Sequence, residues 1–368
     1  QAESENAGAT ANVGLRDNVR EVVALLARSR RPLIHVGQGV RIAGAEEELL
    51  GLITEFGIPF VTARNANDLI ATAHPLHVGR PGTFAQRPAN FAVQNADFYL
   101  AVGTRLSLPQ TGYDAKDFAR NAKRVMVDID QAELDKPTLD MHIKIRSDAK
   151  AFLTELRREL AGTSGRWAAW IQTCADWRKR YPVVTDQQRR QERFVNSYHF
   201  VDLLSDMLAG DDIVVTDMGI SFQGTHQALR VKKGQRFFTN SGFASMGWGL
   251  PAAVGAAVGG RRRTICLSGD GGLQMNIQEL ATVKHYRLPV KLFVMNNGGY
   301  LTIKQTQEMG FQGRLMGVNV DTGLSFPDFQ KVAEAYGIPA RRVDSHDALS
   351  EAIRATLEDN GPAVCELV

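Results

Sequence analysis

The stretch Gly269–Tyr300, "GDGGLQMNIQELATVKHYRLPVKLFVMNNGGY", opens on a glycine-flanked acid and closes on two asparagines. The residues before it, "RTICLS", and its own "VKLFV" are short apolar runs that read as buried strands, with an amphipathic helix between them. Two consecutive strands of a parallel sheet end at the same edge, so Asp270 and the pair Asn296-Asn297 meet there, although 24 residues lie between Gly271 and Asn296. That carboxyl edge is where open parallel sheets bind ligands. A carboxylate and an amide carbonyl are hard oxygen donors, which together with backbone carbonyls and phosphate oxygens suit octahedral Mg²⁺. Gly269, Gly271 and Gly272 let the backbone turn tightly and approach a ligand. A Gly-Asp-Gly turn alone is common; the ordered set of strand, Gly-Asp-Gly-Gly, helix, strand and Asn-Asn is the discriminating signal.

The same alternation extends outward in both directions. "NVREVVALLARS" and "EEELLGLITEFG" have helical spacing, while "RPLIHVGQG", "PFVTA", "DFYLAVG", "RVMVDID" and "HIKIRSD" are apolar runs ended by Gly or Asp. A second series follows: helix "YHFVDLLSDMLAG", strand "DIVVTDMG", helix "PAAVGAAVGG", strand "TICLSGD", helix "MNIQELATVKHY", strand "VKLFVMNN" and helix "FPDFQKVAEAYG". The expected fold is α/β, with two doubly wound parallel-sheet domains, the first Rossmann-like. The expected boundaries are a polar linker over 1–12, a first domain over 13–160, a linker helix over 161–195 and a second domain over 196–368. In that linker helix Trp167, Trp170, Trp177 and Tyr181 share one face, a pattern of core or interdomain packing.

Composition narrows the partners. The 43 basic and 40 acidic side chains leave a net charge of +3, which argues against nucleic acid or a membrane surface as partner. The run Arg261-Arg262-Arg263 reads as a solvated turn. Cys174, Cys266 and Cys365 are far apart, have no metal-ligand spacing, and favour a reducing, cytoplasmic location. His226 and His285 have no triad or metal partner by spacing.

With these motifs in place, the chain resembles the thiamine diphosphate-dependent, acetolactate synthase-like enzymes. Residues 13 to 160 are similar to the family's middle domain and Val214 to Val368 to its diphosphate-binding domain. The resemblance implies thiamine diphosphate and Mg²⁺ as cofactors, with Asp270, the Asn297 side chain and the Gly299 carbonyl as metal ligands, and with Gly269, Gly271, Gly272 and Tyr300 lining the cofactor. Asp217, Met218, Gly219, Ile220 and Ser221 ("DMGIS") match the loop whose backbone amides hold the diphosphate. Met246 matches the bulky residue that bends the cofactor, and the carbonyl of Ala244 would accept a hydrogen bond from its aminopyrimidine.

The implied activity is carboligation: pyruvate or a related 2-keto acid is decarboxylated and the acyl group is transferred to a carbonyl acceptor. Simple 2-keto acid decarboxylation and a non-catalytic cofactor-binding subunit stay open as alternatives. The family's catalytic glutamate lies on an N-terminal pyrimidine-binding domain, expected here on another chain or a missing segment, so this chain alone is expected to be incomplete and to work as a homo- or hetero-oligomer. Two departures argue against branched-chain amino acid synthesis: Thr306 stands where the family's acceptor-pocket tryptophan is expected, and Leu108-Pro109 replace an acidic pair followed by arginine. "GYLTIKQTQ" is similar to a branch acting in sugar and secondary-metabolite pathways, which makes Tyr300, Lys304, Gln305 and Gln307 candidate acceptor-site residues. FAD stays open as a second ligand of the first domain. The segments that would hold it are Gly37–Gly39, Gly79–Thr83, Gly103–Arg105 and Val127–Asp130, although "VGQGVRIAG" around the first is not the G-x-G-x-x-G pattern.

Overall fold

The computed structural model describes residues 14–163, 165–260 and 262–368 in full, and the linker expected over 1–12 lies outside these. The chain forms two compact units, 1–182 and 183–368. The first contains β1 (Pro32–Val36), β2 (Phe60–Thr62), β3 (His77–Gly79), β4 (Phe98–Val102), β5 (Lys123–Asp128) and β6 (Ile143–Arg146). These strands pair in the order β3-β2-β1-β4-β5-β6, all parallel. β1, β2 and β4 are buried throughout, as strands covered by helices on both faces must be. Chain order reverses between β1 and β4, so the crevice of this sheet opens above Val36 and Val102.

Helix Ala168–Arg180 belongs to this unit, so the boundary falls near Pro182 and the expected linker over 161–195 is divided between the units. Trp167 Nε1 donates to the Ser29 carbonyl (3.1 Å) and Trp170 Nε1 to that of Pro32 (2.9 Å). Trp177 and Tyr181 both pack edge-on against Phe91. Trp167 and Trp170 are therefore core, with carbonyl partners for their buried indole N–H groups, while Trp177 packs half-buried against it.

The second unit contains β7 (Ile213–Thr216), β8 (Arg236–Thr239), β9 (Thr264–Gly269), β10 (Val290–Met295), β11 (Ala340–Val343) and β12 (Ala363–Leu367). They form an all-parallel sheet in the order β11-β12-β10-β9-β7-β8. Its order reverses between β7 and β9. Apolar clusters cover both faces: Phe200, Leu204, Phe293 and Ile353 on one, Leu250, Leu280, Leu292 and Phe329 on the other.

The helix expected over 275–286 runs only over Glu279–His285, and the glycine turn before it forms a separate short helix, Asp270–Met275. The break lies at Asn276, whose side-chain amide donates to the Gly247 carbonyl (2.6 Å) and whose φ of −135 leaves the helical range. Of the basic run expected as a solvated turn, Arg261 lies outside the described residues. Arg263 instead grips the buried Asp212 through Nε (2.8 Å) and Nη2 (2.7 Å). All three cysteines are free and buried. Among the described residues no helix is long and apolar enough to cross a membrane.

Candidate functional site

The β7/β9 switch point brings together three loops that the sequence keeps far apart. β9 delivers Asp270, 2 % exposed, as the first residue of a helix. Its Oδ1 accepts the Gly271 N–H (2.6 Å). Its Oδ2 accepts those of Asn297 (3.0 Å) and Gly299 (3.1 Å), which follow β10. Burial pushes the Asp270 carboxyl above its ordinary range, against the opposing pull of these N–H groups. The two ends of the strand-helix-strand unit thus meet on one carboxylate.

β7 delivers Asp217, 1 % exposed, whose side chain has a different task from its neighbours' backbone. It accepts hydrogen bonds from Met218 N (2.8 Å), Gly247 N (3.1 Å) and the Ser268 hydroxyl (3.0 Å), tying three segments together. Burial raises its pKa as well. Next to it Gly219, at φ 76 and ψ −141, leads into helix Ile220–Ala228 with no side-chain cap. Such a helix end presents unpaired N–H groups and the positive end of the helix dipole, which suits a phosphate. The Ser221 hydroxyl turns back to the Met218 carbonyl (3.0 Å) and shapes the loop.

The glycines after Asp270 answer to their neighbours. A β-carbon on Gly271 would stand 2.1 Å from the Tyr300 ring and 3.2 Å from the Met246 methyl, and one on Gly272 would stand 2.4 Å from Asp217 Oδ2. Met246 and Tyr300 therefore both lie over the Asp270 turn, and the loop carrying Met246 is anchored to Asp217 through Gly247. Ala244, two residues before Met246, is held at φ 59, a left-handed conformation uncommon for a residue with a β-carbon. A cavity of about 610 Å³ opens beside the Asn297 turn, its lining including Ile220, Asn296, Asn297, Gly298 and Leu301.

The remaining sequence candidates lie on helix Leu301–Gly310, which has no buried residue. Lys304 sits 3.9 Å from Glu308, Gln305 is exposed, and the Gln307 amide exchanges two hydrogen bonds with the Met316 backbone, at 2.9 and 3.2 Å. The side-chain role of Asp217 escaped the sequence reading, because its partner Gly247 is 30 residues away. So did Ser268 and Asn276; a polar residue ending a buried strand was the available signal for Ser268.

The donor set fits Mg²⁺. Each carboxylate oxygen has room for about two hydrogen bonds, and Oδ1 of Asp270 takes one from Gly271. The exposed Asn297 stands at the tip of the same turn. Among the described residues no three His, Cys, Asp or Glu side chains form a metal cluster. The sparse donor set suits an ion that is completed by phosphate and water oxygens.

Residues 217–367 match the thiamine pyrophosphate enzyme C-terminal TPP binding domain, and residues 19–156 the central domain of the same enzymes. The chain is 33% identical over 361 residues to a protein named "Probable acetolactate synthase large subunit" of Methanocaldococcus jannaschii, covering 97% of this chain and 60% of that one. It is 32% identical over 345 residues to the acetolactate synthase isozyme 2 large subunit of Escherichia coli, covering 94% and 61%. It is 30% identical over 359 residues to chloroplastic acetolactate synthase 2 of Nicotiana tabacum, covering 95% and 53%. The chain thus spans 53 to 61% of the length of these relatives. It belongs to the thiamine pyrophosphate enzymes, and carries their central domain and their C-terminal cofactor-binding domain.

Proposed function

We propose that this chain is the cofactor-holding part of a carboligase that decarboxylates pyruvate or a related 2-keto acid and transfers the acyl group to a carbonyl acceptor. The carrying observation is the convergence of Asp270, the Asn297–Gly299 turn and the uncapped helix end at Gly219 on one switch point. Asp270, the Asn297 amide and the Gly299 carbonyl would hold Mg²⁺. The amides of Gly219, Ile220 and Ser221 would hold the diphosphate, with Met246 and Tyr300 against the cofactor and the Ala244 carbonyl toward its aminopyrimidine. When bound, thiamine diphosphate supplies the electron sink for cleaving the bond beside the substrate carbonyl. The protein's part is to neutralise the diphosphate, orient the cofactor and keep the Asp270 carboxylate dry.

A pyrimidine-binding domain completes the site in this reading. Phe243 (92 % exposed), Met275 (48 %), Leu301 (44 %) and Met316 (81 %) form an apolar rim suited to its docking or to a second copy of the chain. The acceptor is read against Tyr300, Lys304, Gln305 and Gln307. Three unpaired cysteines support a cytoplasmic location. FAD would be a second ligand of the first unit, and flavin absorbance of the purified protein decides that point.

Calorimetric titration of thiamine diphosphate with Mg²⁺ tests the site: the wild type binds, and Asp270→Ala abolishes the metal-dependent part. Unchanged affinity in Asp270→Ala overturns the assignment. Product analysis with pyruvate, with and without an added aldehyde, tests the reaction. Simple decarboxylation in both cases overturns carboligation while leaving the cofactor site standing.

A further inference from the structure

The sheet face that carries the Asn297 turn holds one group that its surroundings do not explain. Along β12 the residues on that face are Val364 and Glu366, and their neighbours on β10 are Leu292 and Val294. A strand covered on both faces calls for apolar residues along its whole length, position 366 included. Glu366 is there instead, with 0 % exposure. Its Oε2 has one charged neighbour, the Arg342 Nη1 at 3.8 Å, and no hydrogen bond among the described residues. A buried carboxylate held so loosely by its counter-ion is costly and weak as a stabilising device.

Among the described residues its side chain accepts one hydrogen bond, from Asn296. Asn296 Nδ2 donates to Glu366 Oε1 at 2.6 Å, and the Asn296 backbone N–H donates to the Leu367 carbonyl at 2.8 Å. The other end of the Asn296 side chain, Oδ1, accepts the Gly298 N–H at 3.0 Å, and Gly298 stands at φ 71. This side chain-to-backbone closure is an Asx turn. It fixes the backbone on both sides of Gly298, and that backbone directs the Asn297 and Gly299 N–H groups onto Asp270 Oδ2. The two asparagines thus have opposite tasks. Asn296 faces inward and holds the turn, while Asn297 at its tip faces outward.

We propose that Glu366 is a positioning residue of the metal site: through Asn296 it sets the turn that presents Asn297 and Gly299, and so sets the affinity for Mg²⁺ with thiamine diphosphate. The proposal rests on the cofactor reading above. Its basis is geometric: a carboxylate at the reach of glutamate orients the Asn296 amide, so that Nδ2 faces the sheet and Oδ1 faces Gly298.

The test is titration of the full chain, in its native assembly, with thiamine diphosphate at a series of Mg²⁺ concentrations, alongside thermal unfolding. Glu366→Asp keeps the charge but withdraws the carboxylate from Asn296; the metal affinity should fall by about tenfold or more, the range seen when partners of metal ligands are altered. Glu366→Gln keeps an acceptor at the same reach and should retain most of the affinity. Asn296→Ala should lose as much as Glu366→Asp, and the double variant no more than either single one, because both act through one contact. Wild-type affinity in Glu366→Asp, additive losses in the double variant, or a loss in Glu366→Gln larger than in Glu366→Asp would each overturn the proposal. Binding by the wild type and its loss in Asp270→Ala keep the cofactor reading intact in those cases; absence of binding in the wild type removes both.

Discussion

The two sheets share an all-parallel, doubly wound plan, yet their crevices are filled in opposite ways. Above β1 and β4, Gly37 N donates to the Val102 carbonyl and Gly39 N to that of Gly103, so one loop lies directly on the other. A β-carbon on Gly37 would stand 2.0 Å from the Gly103 carbonyl oxygen, and one on Gly39 2.7 Å from the Gly103 α-carbon. Above β7 and β9 the glycines make room for side chains, those of Asp217 and Tyr300. Topology supplies a crevice in both units; the size of what glycine admits decides whether it is closed by backbone or furnished with carboxylates.

Gly37→Ala is the severest way to probe that difference. Backbone meets backbone there and neither side can rotate away, so we expect more than ~3 kcal/mol of destabilisation, at the top of the range for overpacking. Chemical denaturation followed by tryptophan fluorescence measures it in a Trp248→Phe background, which leaves Trp167, Trp170 and Trp177 of the first unit as reporters. A loss below ~1 kcal/mol would mean that the two loops can separate.

Acid should distinguish the units next. His35 and His77 are fully buried, and burial pushes each down to about 3. Unfolded histidine titrates near 6.5, so between these values the unfolded state binds more protons, and stability falls with pH by roughly 1.4 kcal/mol per unit for each histidine. Asp217 has the opposite sign. Its raised pKa makes the folded state bind the proton first, so its contribution falls as pH rises from the ordinary carboxylate range through the raised value. Between pH 7 and 5, the urea midpoint of the first unit should drop more than that of the second. Equal shifts would show that these buried groups do not govern the acid response.

Gly272→Ala should cost about 1–3 kcal/mol, less than Gly37→Ala, because the Asp217 carboxylate can move. It should also weaken binding of thiamine diphosphate with Mg²⁺, which Gly37→Ala leaves unchanged wherever the second unit stays folded. Smallest of all, Lys304→Ala breaks an exposed pair with Glu308 and should change stability by less than ~0.5 kcal/mol. A several-fold rise in the acceptor KM of the assembled enzyme, without a change in stability, would support the acceptor-site reading.

What could be read from the residues follows the same line. Strands β1, β4, β9 and β10 announce themselves as apolar runs closed by Gly, Asp or Asn, and the Asp270 and Asn297 pairing follows from sheet direction alone. β3 is only three residues long, and β12 carries Glu366 in an apolar run, so neither stands out. Assigning the tryptophan stripe to the first unit requires the Ser29 and Pro32 carbonyls, each 138 residues away. Local patterning reveals which groups reach the sheet edge. It does not reveal which of them then turn inward to hold the others.

The buried cysteines give each unit its own chemical clock. Cys174 lies in the first unit and Cys266 and Cys365 in the second. Burial pushes the Cys174 thiol up to about 12 and Cys365 up to about 11, and raises Cys266 well above the ordinary thiol range. In the folded chain all three are shielded and protonated, hence slow to alkylate. Each becomes reactive only when its own surroundings open. Timed alkylation followed by peptide mass analysis therefore records the opening of each unit separately, in one sample and without an added probe.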